Sequence, residues 1–373
     1  MLNKIKLVTE IEKKALDLFY TQEHFCPMVY EQWLLLNKEM MFLEKVRNFK
    51  GSIWPIPLWQ DELDKVIAVP DACNIYHIIS VDGSQIYPDR HIKGRCFLIN
   101  IGLVNFCYQD TVSSVAFESV PFVYPYKDEQ LYSVEIINGI RHGHELTYGF
   151  EKAKDVLRSS SNGLLLFDGS FIFWHLDLQK GLRERFLDEY LGCLNMSYVH
   201  KIPSAAYISS PKSKELISIL RLFLCNFDVQ NTSLYESIDG MVDSLLVCLY
   251  LPIGYRTTIF KNTSPISCAY PDHLKPHFFY INVGKEVARV EFPAWMAEDI
   301  GLINKVASYI KDQAQKGDGY PVVLAEAHEQ AVIKAVDRDF FYTYLERFTQ
   351  KNYGQYKSSP YSQKLMHKKV MRV

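Results

Sequence analysis

A short apolar run that ends in Asp-Gly-Ser is the feature that most constrains the fold of this chain. Residues 78–81 read IISV, and Asp82 follows them at the head of an Asp-Gly-Ser triplet. β-Branched residues in such a run predict a buried strand, and Asp-Gly predicts that the strand stops at a turn. The pattern recurs at residues 164–170, LLLFDGS, which predicts a second strand that ends at Asp168.

Two strands that end in the same way can place Asp82 and Asp168 side by side at one edge of a sheet. Two close carboxylates repel each other, and a divalent cation between them relieves that repulsion. Taken alone, either triplet is better explained by an ordinary Asp-Gly turn. The repetition after two apolar runs makes a metal site an equally good explanation.

The order of the elements predicts the fold class. Residues 96–107 and 112–124 predict two further strands, and Gly102 in the first of them is expected to mark a bulge or bend. One or two helices over residues 131–157, another strand and a helix over residues 181–194 follow. By analogy, this is the order of a ribonuclease-H-like core, an α/β fold with a mixed sheet flanked by helices, in which acidic residues on adjacent strands meet.

Three segments are predicted along the chain. Residues 1–50 have apolar side chains at helical spacing and predict an N-terminal helical extension, which either packs on the main domain or contacts a partner. Residues 66–350 hold the main domain, whose last predicted helix covers residues 321–336. Residues 351–373 form a basic tail with interleaved tyrosines, which suits either single-stranded nucleic acid or a frayed terminus.

Composition excludes several classes of protein. Hydrophobic residues make up 48% of the chain, so a sizeable core is available, and the net charge of -2 means that nucleic-acid binding needs a local basic groove. The 8 cysteines include no CxxC pair, which argues against a zinc ribbon. No apolar run reaches the roughly 20 residues that span a bilayer, and no signal peptide is evident, so we expect a cytoplasmic protein with no membrane contact.

Metal-dependent hydrolysis of a phosphodiester needs a third oxygen ligand besides Asp82 and Asp168. The predicted helix between the two strands offers Glu145 and Glu151. Glu145 follows Arg141 and precedes apolar residues, whereas Glu151 has the lysine neighbours of a solvated helix face. Glu145 is therefore the preferred ligand, and Glu151 stays the alternative.

Two C-terminal residues complete the candidate catalytic set. His328 lies on a predicted helix with an apolar face, where a packed core histidine is the usual explanation and a metal ligand or proton carrier is the alternative. Tyr320 precedes this helix, at a position suited either to substrate contact or to packing.

Two basic residues are candidates for binding a phosphate. Lys212 follows a predicted strand end, where it can hold a phosphate as a point charge or simply face solvent. Arg289 and Glu291 alternate with apolar residues and share one strand face, which is either solvated or turned toward a substrate.

In order along the chain, seven segments resemble the NurA nuclease family. They are VDGSQIYPDRH, INIG, RHGHE, LLLFDGS, SPKS, RVEFPAW and YPVVLAEAH, which span about residues 78–336. The resemblance implies a manganese-dependent deoxyribonuclease with 5′–3′ exonuclease and single-strand endonuclease activity, and Mg²⁺ is the alternative cofactor. It also implies a homodimer that acts with a HerA-type hexameric ATPase on DNA ends during double-strand break repair.

The resemblance also implies roles for particular residues. The metal ligands that it implies are Asp82, Glu145, Asp168 and His328. Tyr320 joins them in the catalytic set and positions the scissile strand. Lys212 and Arg289 are added as DNA-binding residues.

Two other functions compete with a nuclease. A non-catalytic DNA-binding or helicase-adaptor subunit of the same fold is disfavoured, because every proposed acidic ligand is present. A phosphotransferase of the actin-like kind also places aspartates at strand ends. It would need glycine-rich phosphate loops, and none is evident in the sequence.

Overall fold

The computed structural model describes most of the chain. The described residues are 2–15, 26–39, 41–49, 51, 54–88, 96–126, 132–158, 162–177, 180–231, 234–235, 238 and 240–353. The predicted basic tail therefore lies outside the described residues from 354 onward. None of the helices in these ranges combines the length and the apolar character that a membrane-spanning segment needs.

Strands and helices alternate along the described ranges. The strands are β1 (Leu58–Trp59), β2 (Val66–Ala68), β3 (Tyr76–Ile86), β4 (Cys96–Tyr108), β5 (Ser114–Pro125), β6 (Gly163–Asp168), β7 (Ser204–Ile208), β8 (Tyr255–Thr257), β9 (Phe260–Lys261), β10 (Pro276–Asn282) and β11 (Val287–Pro293). The α-helices are Lys4–Lys13, Cys26–Leu36, Phe42–Asn48, Val134–Leu157, Trp174–Asp177, Lys180–His200, Glu215–Leu224, Asp243–Cys248, Ala294–Ala297, Ile300–Lys316, Val322–Ala331 and Ala335–Tyr353.

The chain divides into two compact units. Over their described residues, the smaller unit comprises Met1–Ile67, Ser210–Ser264 and Phe279–Arg289, and the larger one comprises Ala68–Ser209, Pro265–Phe278 and Val290–Val373. The predicted extension of residues 1–50 lies within the smaller unit, and the predicted main domain of residues 66–350 contributes to both units.

Five strands form a sheet in the larger unit, in the order β7-β6-β3-β4-β5. β3 pairs antiparallel with β4, and β4 pairs antiparallel with β5. β3, β6 and β7 run parallel to one another. The chain passes from β3 to β6 through β4, β5 and the helix Val134–Leu157, and from β6 to β7 through helices. The predicted class, a mixed α/β fold with a sheet flanked by helices, is confirmed at this level.

Helices cover both faces of β3. Gly83 faces the helix Val134–Leu157, where a Cβ atom on Gly83 would lie 2.5 Å from Glu145 Oε1. Its neighbour Ser84 donates a hydrogen bond to a carbonyl at the end of the helix Val322–Ala331. Because successive residues of a strand point to opposite faces, the two helices lie on opposite sides of the sheet.

The core of the larger unit lies between the sheet and two long helices. Phe150 of Val134–Leu157 and Tyr190 of Lys180–His200 are fully buried beside Ile79 of β3. Burial of each large apolar side chain stabilises the fold by about 1.5–3 kcal/mol. These contacts hold the helix Val134–Leu157, which carries Glu145, against the strand that carries Asp82.

The first Asp-Gly-Ser triplet does not form the predicted turn. β3 continues through it, and Asp82 pairs with Gly102 in an unbroken antiparallel register with β4. The hydrogen bonds of this hairpin keep the triplet extended, so that prediction is wrong. The second triplet behaves as predicted, because β6 ends at Asp168 and Gly169 has a φ of 109°.

Two further predictions are wrong. Gly102 marks no bulge; it lets the helix Val322–Ala331 approach β4 closely, since a Cβ atom on Gly102 would lie 2.3 Å from Ala331 N. The predicted helix over residues 321–336 ends at Ala331, because Val332 has a ψ of 124°. A separate helix, Ala335–Tyr353, follows.

The smaller unit has a core of its own. β1 pairs with β9 and β8 pairs with β10, both antiparallel. Trp33 of the helix Cys26–Leu36 is fully buried and stacks on Tyr250 with ring centroids 6.2 Å apart. The helix Lys4–Lys13 has no buried residue. Part of the predicted N-terminal extension is therefore core, and part is exposed.

Candidate active site

β3 and β6 bring Asp82 and Asp168 to the same level of the sheet. The strands are parallel, and Val81 pairs with Phe167, so each aspartate is the next residue along its strand. Gly169 then turns the chain away from the sheet. The first prediction for the site, two aspartates side by side, agrees with this placement.

Negative charge accumulates around Asp168. Asp168 is exposed, but the surrounding protein excludes part of the water from its carboxylate. This desolvation is the main cause that raises the pKa of Asp168. A hydrogen bond from Tyr320 and the nearby His328 lower that pKa, whereas the carboxylates of Asp82 and Glu145 raise it further. Carboxylates that repel one another create a place where a cation is stabilised.

His328 and Tyr320 reach the two aspartates from the C-terminal part of the described chain. His328 Nδ1 lies 2.8 Å from Asp82 Oδ2 and donates to that carboxylate, and the His328 side chain is 66% exposed. The Tyr320 hydroxyl donates to Asp168, and the Tyr320 ring packs edge-on against Tyr207. The structure therefore groups four of the five predicted catalytic residues directly.

Glu145, the fifth, is held by two basic neighbours on its own helix. Arg141 Nη1 donates to Glu145 Oε1 at 2.7 Å, and His142 Nδ1 lies 3.1 Å from Glu145 Oε2. The same Arg141 nitrogen donates to the Gly83 carbonyl at 2.9 Å and lies 3.9 Å from Asp82 Oδ1. Glu145 is 8% exposed. Arg141 thus connects this glutamate to the strand that carries Asp82.

Glu151, the alternative third carboxylate, is exposed on the same helix. The charge of Glu145, by contrast, is among the influences that raise the pKa of Asp168. Burial and electrostatics both favour Glu145 as the glutamate of the site.

The two predicted DNA-binding residues lie in the smaller unit. Lys212 is exposed. Arg289 is 2% exposed and pairs with Glu215 through both terminal nitrogens, one of them at 3.2 Å. Every residue of β11 is buried, so the alternating pattern has no solvated polar face. This burial speaks against the predicted DNA contact of Arg289, because a guanidinium has to be exposed to reach a phosphate.

No role was predicted for Arg141 and His142, and Glu291, which was expected to be solvated or turned toward a substrate, is buried. Glu291 is 1% exposed, and its Oε2 accepts from Ser170 Oγ at 2.7 Å and from Phe171 N at 2.9 Å, which fixes the chain just after Asp168. The spacing of Arg141 and Glu145, four residues apart, is a usable signal for an ion pair on one helix face.

The residues present fit a divalent cation in their chemistry. Within the described ranges, no three His, Cys, Asp or Glu side chains converge closely enough to form a complete metal cage. Asp82 and Asp168 nevertheless offer the carboxylate oxygens that Mn²⁺ and Mg²⁺ prefer. Small divalent cations are commonly held by one or two carboxylates, and water and substrate phosphates fill the remaining positions. The excess negative charge at Asp168 is consistent with such a site.

Comparison with known proteins identifies the family. No curated protein matches the chain. Among solved structures, the chain is similar to a crystal structure of NurA (12% identity, covering 93% of this chain and 97% of that chain, TM-score 0.41). It is also similar to a NurA with manganese (11%, 84% and 97%, TM-score 0.34) and to a NurA bound to dAMP and manganese (13%, 90% and 95%, TM-score 0.34). A sequence model of the NurA domain matches residues 76–333, well over half of the chain, and the chain therefore belongs to the NurA family.

Proposed function

We propose that this chain is a metal-dependent deoxyribonuclease. The observation that carries the proposal is the meeting of Asp82 and Asp168 on adjacent parallel strands, with His328 bound to the first and Tyr320 to the second. Membership of the NurA family supports it independently. Mn²⁺ is the proposed cation and Mg²⁺ the alternative. A bound divalent cation would stabilise charge on a phosphodiester and lower the pKa of a bound water.

The residues of the site have distinct proposed roles. Asp82 and Asp168 would hold the cation, and Glu145 is the proposed third carboxylate. His328 Nδ1 is fixed by Asp82, which leaves Nε2 on an exposed ring as a further ligand or as a proton carrier. Tyr320 orients the Asp168 carboxylate through its hydroxyl and is placed to contact the scissile strand.

We infer a ribonuclease-H-like core for the larger unit. The support is the strand order, in which the antiparallel strands β5, β4 and β3 continue into the parallel strands β6 and β7. The carboxylates of the two central strands meet on that sheet, as an active site built on this architecture requires. Such a likeness of architecture supports the chemistry only by analogy.

Family membership supports the proposed biology. The proposed substrate is DNA, cleaved by 5′–3′ exonuclease and single-strand endonuclease activity during the resection of double-strand breaks. We propose that the protein is a homodimer in the cytoplasm and that a HerA-type hexameric ATPase is its partner. The exposed Lys212 is the proposed phosphate contact outside the catalytic set.

A digestion assay tests the activity directly. The purified full chain is incubated with end-labelled linear DNA in Mn²⁺, in Mg²⁺ and in EDTA, beside the variant Asp82→Asn. We expect cleavage by the wild type with metal only, and none by the variant. Cleavage that persists in EDTA, or that Asp82→Asn retains in full, would contradict the proposal. Light scattering, and the same assay with the ATPase added, test the dimer and the partner.

A further inference from the structure

Arg141 lies between two of the carboxylates that the proposed function assigns to the cation. One nitrogen, Nη1, is 2.7 Å from Glu145 Oε1 and 3.9 Å from Asp82 Oδ1. The same nitrogen donates to the Gly83 carbonyl, which ties the guanidinium to β3. Arg141 Nε is buried and has no hydrogen-bond partner among the described residues. The guanidinium therefore engages these carboxylates through one nitrogen and leaves part of its donor capacity unused.

The chain makes room for this arginine. A Cβ atom on Gly83 would lie 2.5 Å from Glu145 Oε1 and 2.8 Å from Arg141 Cγ. Any larger residue after Asp82 would therefore displace the ion pair, and this close approach explains the glycine at a position where the strand does not turn. His142 Nδ1 holds the second oxygen of Glu145 at 3.1 Å, so both carboxylate oxygens are fixed.

We propose that the Arg141 guanidinium is a built-in counter-cation of the site: it neutralises Asp82 and Glu145 in the metal-free protein, and a divalent cation competes with it for those carboxylates. The inference rests on the proposed function, and it adds that Arg141 regulates how readily the site binds metal. Arg141 is then a positioning residue, which keeps the carboxylates in place and sets the metal concentration at which the site loads.

Electrostatics gives the direction of the effect. A positive charge about 4 Å from a carboxylate lowers the affinity of that carboxylate for a second cation, because the two cations repel and share one ligand. Removal of the arginine charge should therefore tighten metal binding by at least about tenfold, because charges about 4 Å apart in a half-buried site interact strongly. A residue that only supports the fold would have the opposite effect, because its loss would misplace Glu145 and weaken binding.

Calorimetric titration of the full chain with MnCl₂ separates these outcomes. The variants are Arg141→Gln, which removes the charge, and Arg141→Lys, which keeps it. Arg158→Gln is the matched control, at the end of the same helix and exposed. We expect Arg141→Gln to bind Mn²⁺ at least about tenfold more tightly than the wild type, and the other two variants to bind within about threefold of it. Equal or weaker binding by a folded Arg141→Gln would overturn the inference.

A second measurement uses the wild-type protein and so does not depend on the folding of Arg141→Gln. In arginine side-chain NMR spectra, the Nε–H signal that disappears in Arg141→Lys belongs to Arg141. We expect that signal to move when the wild type is titrated with diamagnetic Mg²⁺, and a signal that stays still at saturating metal would overturn the exchange. A wild type that binds neither cation would contradict the proposed function itself, and the inference with it.

Discussion

His328 Nδ1 lies 2.8 Å from Asp82 Oδ2, although 246 residues separate the two in the sequence. The contact depends on the helix Val322–Ala331, which carries His328 and approaches the sheet closely at Gly102. Gly102 pairs directly with Asp82 across the hairpin. One strand residue of this pair is therefore a proposed metal ligand, and the other leaves the space for the helix beside it.

Substitution of either aspartate should abolish cleavage without unfolding the protein. Asp82→Asn and Asp168→Asn each remove one charged ligand, which should cost several kcal/mol of barrier, or about a thousandfold or more in rate. Rates of DNA digestion at fixed Mn²⁺ measure the effect. Asp110→Asn, an exposed aspartate in the turn after β4, is the control and should keep full activity. Full activity in either site variant at unchanged metal concentration would refute the assignment.

The two candidate glutamates should behave differently. Glu145→Gln removes a buried carboxylate that Arg141 and His142 both bind, so we expect loss of activity and a fall in stability of about 1–3 kcal/mol. Glu151→Gln changes an exposed residue and should stay within about 0.5 kcal/mol of the wild type and remain active. Thermal unfolding and digestion assays on the pair measure both effects, and an inactive Glu151→Gln beside an active Glu145→Gln would reverse the assignment.

Gly102→Ala should damage both stability and activity. Its Cβ atom would lie 2.3 Å from Ala331 N and 2.6 Å from Gln330 C, and backbone atoms cannot move aside individually. We expect a loss of about 1–3 kcal/mol in the free energy of unfolding, together with reduced cleavage as the helix bearing His328 shifts.

Gly192→Ala is the matched control for that substitution. Gly192 lies in the helix Lys180–His200, and a Cβ atom there meets nothing within 4 Å. Alanine should stabilise this helix by up to about 1 kcal/mol and leave cleavage unchanged. Equal effects of the two substitutions in chemical denaturation would show that the close approach at Gly102 is unimportant.

Asp243 should make the stability of the protein depend on pH between about 4 and 6. Burial, and then the charge of Glu215, raise the pKa of Asp243 from its usual 3.8 to about 6. In this window the folded state binds more protons at Asp243 than the unfolded state does, so the contribution of Asp243 to stability falls as pH rises. The stabilising contribution is complete below pH 4 and is lost through pH 6.

Unfolding by denaturant at a series of pH values, in the wild type and in Asp243→Asn, isolates this contribution. The asparagine does not titrate, so the wild type should gain stability relative to the variant as pH falls from 7 to 4. A stability difference that is constant over that range would show that Asp243 is ionised throughout.

Local patterns in the sequence predicted much of the larger unit. The β-branched run before Asp82 lies in β3, and the run of residues 164–168 lies in β6. Each apolar run is continuously buried, so a few neighbouring residues were enough to predict the strand. The same Asp-Gly-Ser triplet turns the chain at Gly169 but not at Gly83, since only the first triplet has an antiparallel partner along its whole length. A pairing partner is not visible in the triplet itself.

Long-range burial accounts for what the sequence could not predict. Arg289 and Glu291 alternate with apolar residues as in a half-exposed strand. In the folded protein, however, Arg289 pairs with Glu215, and Glu291 accepts hydrogen bonds from the Ser170 hydroxyl and the Phe171 amide. These partners lie 74 and more than 100 residues away in the sequence. Arg141, by contrast, pairs at a distance of four residues, so it was within reach of sequence reasoning.

The late position of the helix Val322–Ala331 in the chain has a consequence for synthesis. Asp82, Glu145 and Asp168 are synthesised well before Tyr320 and His328. An incomplete translation product that stops short of Tyr320 would carry all three carboxylates but neither of the residues that bind the two aspartates. Under the proposed function, the full catalytic set is therefore present only when most of the polypeptide has been made.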